Sequence, residues 1–245
     1  MANRLNVSVR LPINWPRLRH VFLVVALLVS ASCAGLFQRI YSAEAIEAWV
    51  VDKKTGKPLE GVIVVAHWKL MRGTVGGRVP AGTMMLLETV TDVNGRFSFP
   101  AWGPLETASE GFLDHEDPLL ILFAPGHRRL VLRNHWETKA DDKPSKRKSQ
   151  WSGKTIKLAP FEGPIKEYAD DVADQSRYTA SELDWYNDLY TNCNIDKTPF
   201  LAEAFDRENR AMEARGLRRG GFVLDRFSPE RLRKCRFDAR GSDGR

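Results

Sequence analysis

The feature that most narrows the folding options is a period-two run that leads, through turn residues, into a hairpin signal. Val62, Val64, Ala66, Trp68 and Leu70 fall on one face of an extended segment, and Ile63, Val65, His67 and Lys69 on the other. This reading places His67 on an exposed strand face beside Lys69. The Gly-rich segment from Arg72 to Gly82 is expected to be a loop, because glycine weakens any regular element. Met84 to Thr91 forms the next run. It reaches Arg96-Phe97-Ser98-Phe99 through Asp92-Val93-Asn94-Gly95, and Asn-Gly between two β-rich runs is a strong hairpin signal.

The same grammar extends in both directions. Ile46 to Val51 precedes the turn residues Asp52 to Gly61, and Leu119 to Phe123 is wholly apolar, as suits the middle of a sheet. Pro125-Gly126 turns into His127 to Leu132. A polar stretch from Glu137 to Gln150 then precedes a last strand at Lys154 to Leu158. Seven strands at turn-marked spacing, without helical pattern between them, predict a mainly β fold: an antiparallel β-sandwich spanning residues 45–160.

After Pro160 the period becomes helical. Thr179-Ala180-Ser181-Glu182 reads as a capping box, with Leu183, Tyr186, Leu189 and Tyr190 following on one face. Thr198-Pro199 caps a second helix, whose stripe of Phe200, Leu201, Ala204, Phe205 and Met212 ends at Gly216. Ser228-Pro229 starts a third. Residues 161–245 are therefore expected to be a helical C-terminal segment packed on the sandwich, with a partner-binding role as the alternative.

Residues 1–44 look like an address. Arg4, Arg10, Arg17 and Arg19 precede the apolar run Val21 to Val29, and small residues Ser30 to Gly35 follow. The run is short for a bilayer span of about 20 apolar residues. Cleavage near Ala34 or Ala43 and an uncleaved anchor both remain open. Cys33, directly after small residues, resembles the lipobox cysteine of bacterial lipoproteins, although Ser30 stands where that family usually has Leu, Val or Ile. The resemblance implies lipidation at Cys33. With Ala34 next in line, it also implies an outer-membrane destination. Several acyl chains on one residue anchor stably.

Three cysteines are present. In an exported chain, Cys193 and Cys235 are expected to form a disulfide closing a loop of roughly forty residues, which the chain-entropy picture values at about 3 to 4 kcal/mol. Two free buried thiols are the alternative.

Val50-Val51-Asp52-Lys53-Lys54-Thr55-Gly56-Lys57-Pro58-Leu59-Glu60-Gly61-Val62, followed by Thr91-Asp92-Val93-Asn94-Gly95-Arg96-Phe97, resembles the carboxypeptidase regulatory-like domain. That family implies a seven-stranded, prealbumin-like sandwich. Its motif residues build turns and carry no chemistry, and the domain is the non-catalytic companion of certain peptidases. The insertions Met71–Thr83 and Pro104–Asp117 depart from its compact pattern and are the first place to look for a binding surface.

Chemistry is sparse. His67, His115, His127 and His135 lack metal-ligand spacing; Asp114, Glu116 and Asp117 around His115 read as a solvated acidic loop, with calcium binding or an acid–base pair of His115 and Asp117 as the alternatives. No nucleophile elbow, phosphate loop or zinc-protease motif occurs, so no catalytic residue, cofactor or metal is expected. Formal net charge is +6, yet Glu208, Glu213, Asp225 and Glu230 interrupt the basic tail, which reads as a solvated helical surface and not as a nucleic-acid site. Trp49, Trp68, Trp102, Trp136 and Trp151 could stack on sugars if exposed, or fill the core if buried. The expected role is a non-enzymatic, membrane-anchored envelope protein facing the periplasm, with a protein partner or a cell-wall glycan as its ligand.

Overall fold

A computed structural model describes residues 39–107, 111–135, 146–183 and 194–217, apart from the side chain of Ile195. The strands are β1 (Ile40–Ala43), β2 (Ile46–Asp52), β3 (Ile63–Thr74), β4 (Gly77–Val90), β5 (Arg96–Phe99), β6 (Trp102–Glu106), β7 (Phe112–Leu113), β8 (Leu119–Phe123), β9 (Leu130–Leu132), β10 (Lys146–Arg147) and β11 (Thr155–Leu158). Two α-helices follow, α1 (Ile165–Glu182) and α2 (Pro199–Ala214), with a 3-10 turn at Asn194–Lys197 before α2.

The fold is mainly β with a helical C-terminal segment. Three sheets run in the orders β10-β1-β6, β11-β2-β5 and β4-β3-β8-β9, the last also joined by β7 alongside β3. The described residues thus hold eleven strands where seven were expected. Two pairings, β1 with β10 and β2 with β11, are parallel. Parallel partners cannot be joined by a tight hairpin, and in each of these pairs eight other strands lie between the two partners in sequence. The first strand, Ile40–Ala43, falls inside the segment read as a leader, and it buries Tyr41 and Ala43.

Alternation on β3 decides the layering. Val62, Val64, Ala66, Trp68 and Leu70 pack with Leu120 and Leu122 of β8 against Ile46, Ala48 and Val50 of β2, Phe97 and Phe99 of β5, and Ile156 and Leu158 of β11. Trp68 and Trp102 meet edge to face inside this core, their ring centroids 5.4 Å apart. The opposite face of the same two strands carries Ile63, Val65, Leu119, Ile121 and Phe123, and it is covered by Tyr168 and Val172 of α1 and Leu201, Phe205 and Met212 of α2. Phe123 and Phe205 approach to 4.4 Å between centroids. The β3–β8 pair is therefore a wall shared by two cores. At roughly 1.5–3 kcal/mol per fully buried large apolar side chain, both faces contribute heavily to stability.

Two local expectations are corrected. The segment from Arg72 to Gly82 is not a loop. It extends the β3–β4 hairpin, with Arg72 opposite Val79, Gly73 opposite Arg78 and Thr74 opposite Gly77. Cross-strand main-chain bonding outweighs the weak strand preference of glycine here. Nor does a helix start at the Thr179-Ala-Ser-Glu182 box: α1 begins at Ile165 and ends there. Thr179 is buried and accepts a hydrogen bond from the Arg129 guanidinium, which also pairs with Glu182.

α2 begins as read, with Pro199 in its first turn, but the Thr198 side chain does not cap it. Glu88 of β4 does so instead, its carboxylate accepting the Phe200 and Leu201 amides at 2.9 and 2.7 Å. At the other end Gly216, at φ +71°, closes the helix, and the Leu217 amide donates to the Met212 carbonyl.

The motif turns behave as glycine-dependent joints. Asp52 accepts the Lys54 and Thr55 amides and its carbonyl accepts that of Gly56. Gly95 sits at φ +70°, where a Cβ would lie 2.2 Å from the Val50 carbonyl oxygen, so no other residue fits that hairpin unaltered.

Candidate functional site

His67 lies far from solvent. Its ring is fully buried between β3 and the helical layer, because the strand face read as exposed is the one that α1 and α2 cover. Nε2 sits 3.0 Å from the Thr83 hydroxyl, which also accepts a bond from the Asn194 side-chain amide at 2.9 Å. Burial, reinforced by the positive field of Lys69, pushes the imidazole down to about 3, so it is neutral at physiological pH.

The acidic loop after β7 is a closed turn. Asp117 Oδ2 accepts the Asp114 amide at 3.0 Å, and the Asp114 carbonyl accepts that of Asp117. Asp117 is buried, and burial raises its carboxyl to about 7 despite the nearby Arg147 guanidinium. Arg147, itself buried, donates to the Leu113 carbonyl at 2.6 Å and stacks over the Tyr41 ring at 5.3 Å. The Tyr41 hydroxyl accepts the Leu113 amide. Asp114 pairs with Arg78 of the hairpin at 2.8 Å. This cluster ties β1, β7, β10 and the hairpin together.

His115 and Asp117 do not form an acid–base pair with open access: the His115 side chain is exposed while the Asp117 carboxylate is enclosed. His127 lies 3.4 Å from the Asp52 carboxylate, which the Thr55 amide holds below its usual range, and His135 is exposed. Among the described residues no three His, Cys, Asp or Glu side chains converge as a metal site would require.

A shallow pocket of about 420 Å³ opens where β9 ends. Val131, Leu132, Arg133, Asn134, His135, Glu116 and Trp151 line it. Its walls are stitched together. The Asn134 side-chain amide donates to the carbonyls of Asp117 and Lys148, each at 2.8 Å, and its oxygen accepts the Gln150 amide. Trp151 Nε1 donates to the Arg133 carbonyl at 3.2 Å, which leaves the half-buried indole at the rim. Arg133 lies 3.7 Å from Glu116. This mix of an indole, a guanidinium, a carboxylate and an imidazole was not legible as one cluster, since Glu116 and Trp151 meet only through the turn that Asn134 closes. Of the other tryptophans, Trp68 and Trp102 are core residues and Trp49 is half-buried.

Cys33, Cys193, Cys235 and Trp136, the apolar run Val21 to Val29 and the helix read from Ser228 lie outside the described residues. Among the described residues no helix is long and apolar enough to cross a membrane.

No protein-family model matches the chain, and no curated protein matches it. Among solved structures it is similar to a 3-chlorocatechol 1,2-dioxygenase from Rhodococcus opacus 1CP, at 18% identity over 49% of this chain and 61% of that one, with a TM-score of 0.29. A streptococcal ancillary pilin aligns at 14% identity over 49% of this chain and 30% of that one, with a TM-score of 0.22. A 9R-lipoxygenase from Cyanothece PCC8801 aligns at 15% identity over 59% and 23%, with a TM-score of 0.21. The chain spans less than two thirds of each of these proteins. The β-rich fold stands on the strands of the chain itself.

Proposed function

We propose that this chain is a non-enzymatic, membrane-anchored protein of the bacterial envelope whose sandwich has a structural or protein-binding role. The observation that carries the reading is where the polar chemistry goes. His67, Glu88, Asp117 and Arg147 each serve to join layers, and the turn motifs shared with the carboxypeptidase regulatory-like domain are joints. A prealbumin-like order for the sandwich core, lipidation at Cys33, outer-membrane placement and a Cys193–Cys235 disulfide belong to the same reading. Mass spectrometry of the mature N-terminus from native membranes tests it, with the thiols alkylated before and after reduction. A diacylated or triacylated Cys33 and a reducible bridge are expected. Soluble protein with Met1 intact and all thiols free would overturn it.

A second reading, binding of a cell-wall glycan, is favoured by one observation: the Trp151 indole stands at the rim of a pocket that also presents Arg133, Glu116 and His135. An aromatic face with a few convergent polar groups is how proteins take sugars in water. Titration with soluble peptidoglycan fragments should quench tryptophan fluorescence in the wild type and not in Trp151→Ala. Equal quenching in both would remove this pocket as the site.

A further inference from the structure

The β3–β4 hairpin runs past the body of the fold as an arm. Its root is the level at which Met71 pairs with Phe112 of β7, and three further cross-strand pairs carry it outward, about 10 Å at strand rise. At the tip, Val75 is fully exposed. Residues 71–83 contain Arg72 and Arg78 and no carboxylate at all. Both arginines are exposed, and Arg78, two cross-strand pairs beyond the root, is paired with Asp114.

The polypeptide enters the fold at that same root. Arg39 and Arg78 stack on the same ring, Phe112, each at 5.6 Å, and the exposed Ile40 begins β1 beside them. From Cys33, the residue expected to carry the lipid, to Arg39 is six residues, which span at most about 22 Å when extended. A lipid on Cys33 would tether the fold through Arg39, the residue that stacks on Phe112 beside the root of the arm. An arm with an apolar tip, basic flanks and no acid has the composition that an anionic headgroup layer accepts.

We propose that the Arg72–Arg78 arm is a lipid-contacting element that seats the sandwich on the anionic bilayer surface to which the chain is tethered. The proposal rests on the anchoring reading above. The full-length protein, extracted from membranes with its leader processed as it is in the cell, is reconstituted into vesicles of phosphatidylethanolamine and phosphatidylglycerol. A photo-crosslinking residue replaces Val75, with Thr74 as a second arm position and Val93, in the turn at the opposite end, as the control. Circular dichroism shows that each variant is folded.

Lipid adducts at 74 and 75, and weak ones at 93, are expected. Arg72→Gln should lower the arm adduct by up to roughly fivefold, the factor one basic residue near such a surface supplies. Protein that floats with the vesicles but gives equal or no lipid adducts at 75 and 93, or gives only protein adducts at 75, overturns the arm while leaving the anchor standing. Protein that fails to float overturns both.

Discussion

The imidazole of His67 lies 3.0 Å from the hydroxyl of Thr83, joining β3 to β4 beneath the helical layer. In the unfolded chain this histidine takes a proton near its ordinary value of 6.5; in the fold it stays neutral down to about 3. Between those values the unfolded state binds more protons, so stability rises with pH, by at most about 1.4 kcal/mol per unit from this group. His67→Gln keeps a partner for Thr83 and cannot titrate. The difference in unfolding free energy between wild type and variant, followed by urea denaturation from pH 3 to 7, should show that slope. A flat difference would mean that the ring is solvated.

Asp117 works in the opposite sense. Its carboxyl is raised from 3.8 to about 7 by burial, facing Arg147 and Asp114, so the folded state keeps a proton that the unfolded state has lost. Its contribution is present at low pH and is lost as pH climbs from about 4 to 7. Asp117→Asn should leave acid stability nearly unchanged and make the protein more stable than wild type above pH 7. The measurement is the same denaturation series.

Glu88 is the cap of α2 although it belongs to a strand. Glu88→Ala should destabilise by about 1–2 kcal/mol, the usual worth of a helix N-terminal cap, while Glu88→Gln, which keeps an acceptor, should cost less. Hydrogen exchange at the Phe200 and Leu201 amides should speed up first in the alanine variant.

Two truncations test the role of β1. A chain beginning at Arg39 retains Tyr41 and Ala43 in the inner core, whereas one beginning at Glu44 loses both, along with the Tyr41 contact to Arg147. The shorter chain should be less stable by at least about 3 kcal/mol, as for other large core deletions, or fail to fold. Equal melting temperatures would place β1 outside the cooperative unit. The same result bears on export, because cleavage after Ala43 would remove this strand.

The strands flanking the Asn94-Gly95 turn were legible because alternation and turn chemistry are local. Ile46–Asp52, Arg96–Phe99 and Leu119–Phe123 stand where their residues put them. What was not legible depends on layering. Ile63, Val65 and His67 carry no mark that tells a solvent face from one roofed by helices roughly a hundred residues later in sequence. α1 was hidden because its buried stripe includes Gln175, Ser176 and Thr179 among the apolar residues, so its period is blurred. The Gly-rich arm was misread because hairpin pairing is a property of two segments, and composition describes only one at a time. For the candidate site, Trp151 could be named from sequence as a possible sugar platform, but its neighbours Glu116 and Arg133 could not.

A wall with a core on each side cannot give up one of them quietly. If a protease or a frameshift removed both α1 and α2, Phe123, Ile121 and Val65 would become a bare apolar sheet face. The remaining sandwich would then be a sticky species, prone to self-association, and not a smaller independent module. The helices are consequently not an ornament that relatives of this chain could drop, unless the outward face of β3 and β8 turned polar in the same step.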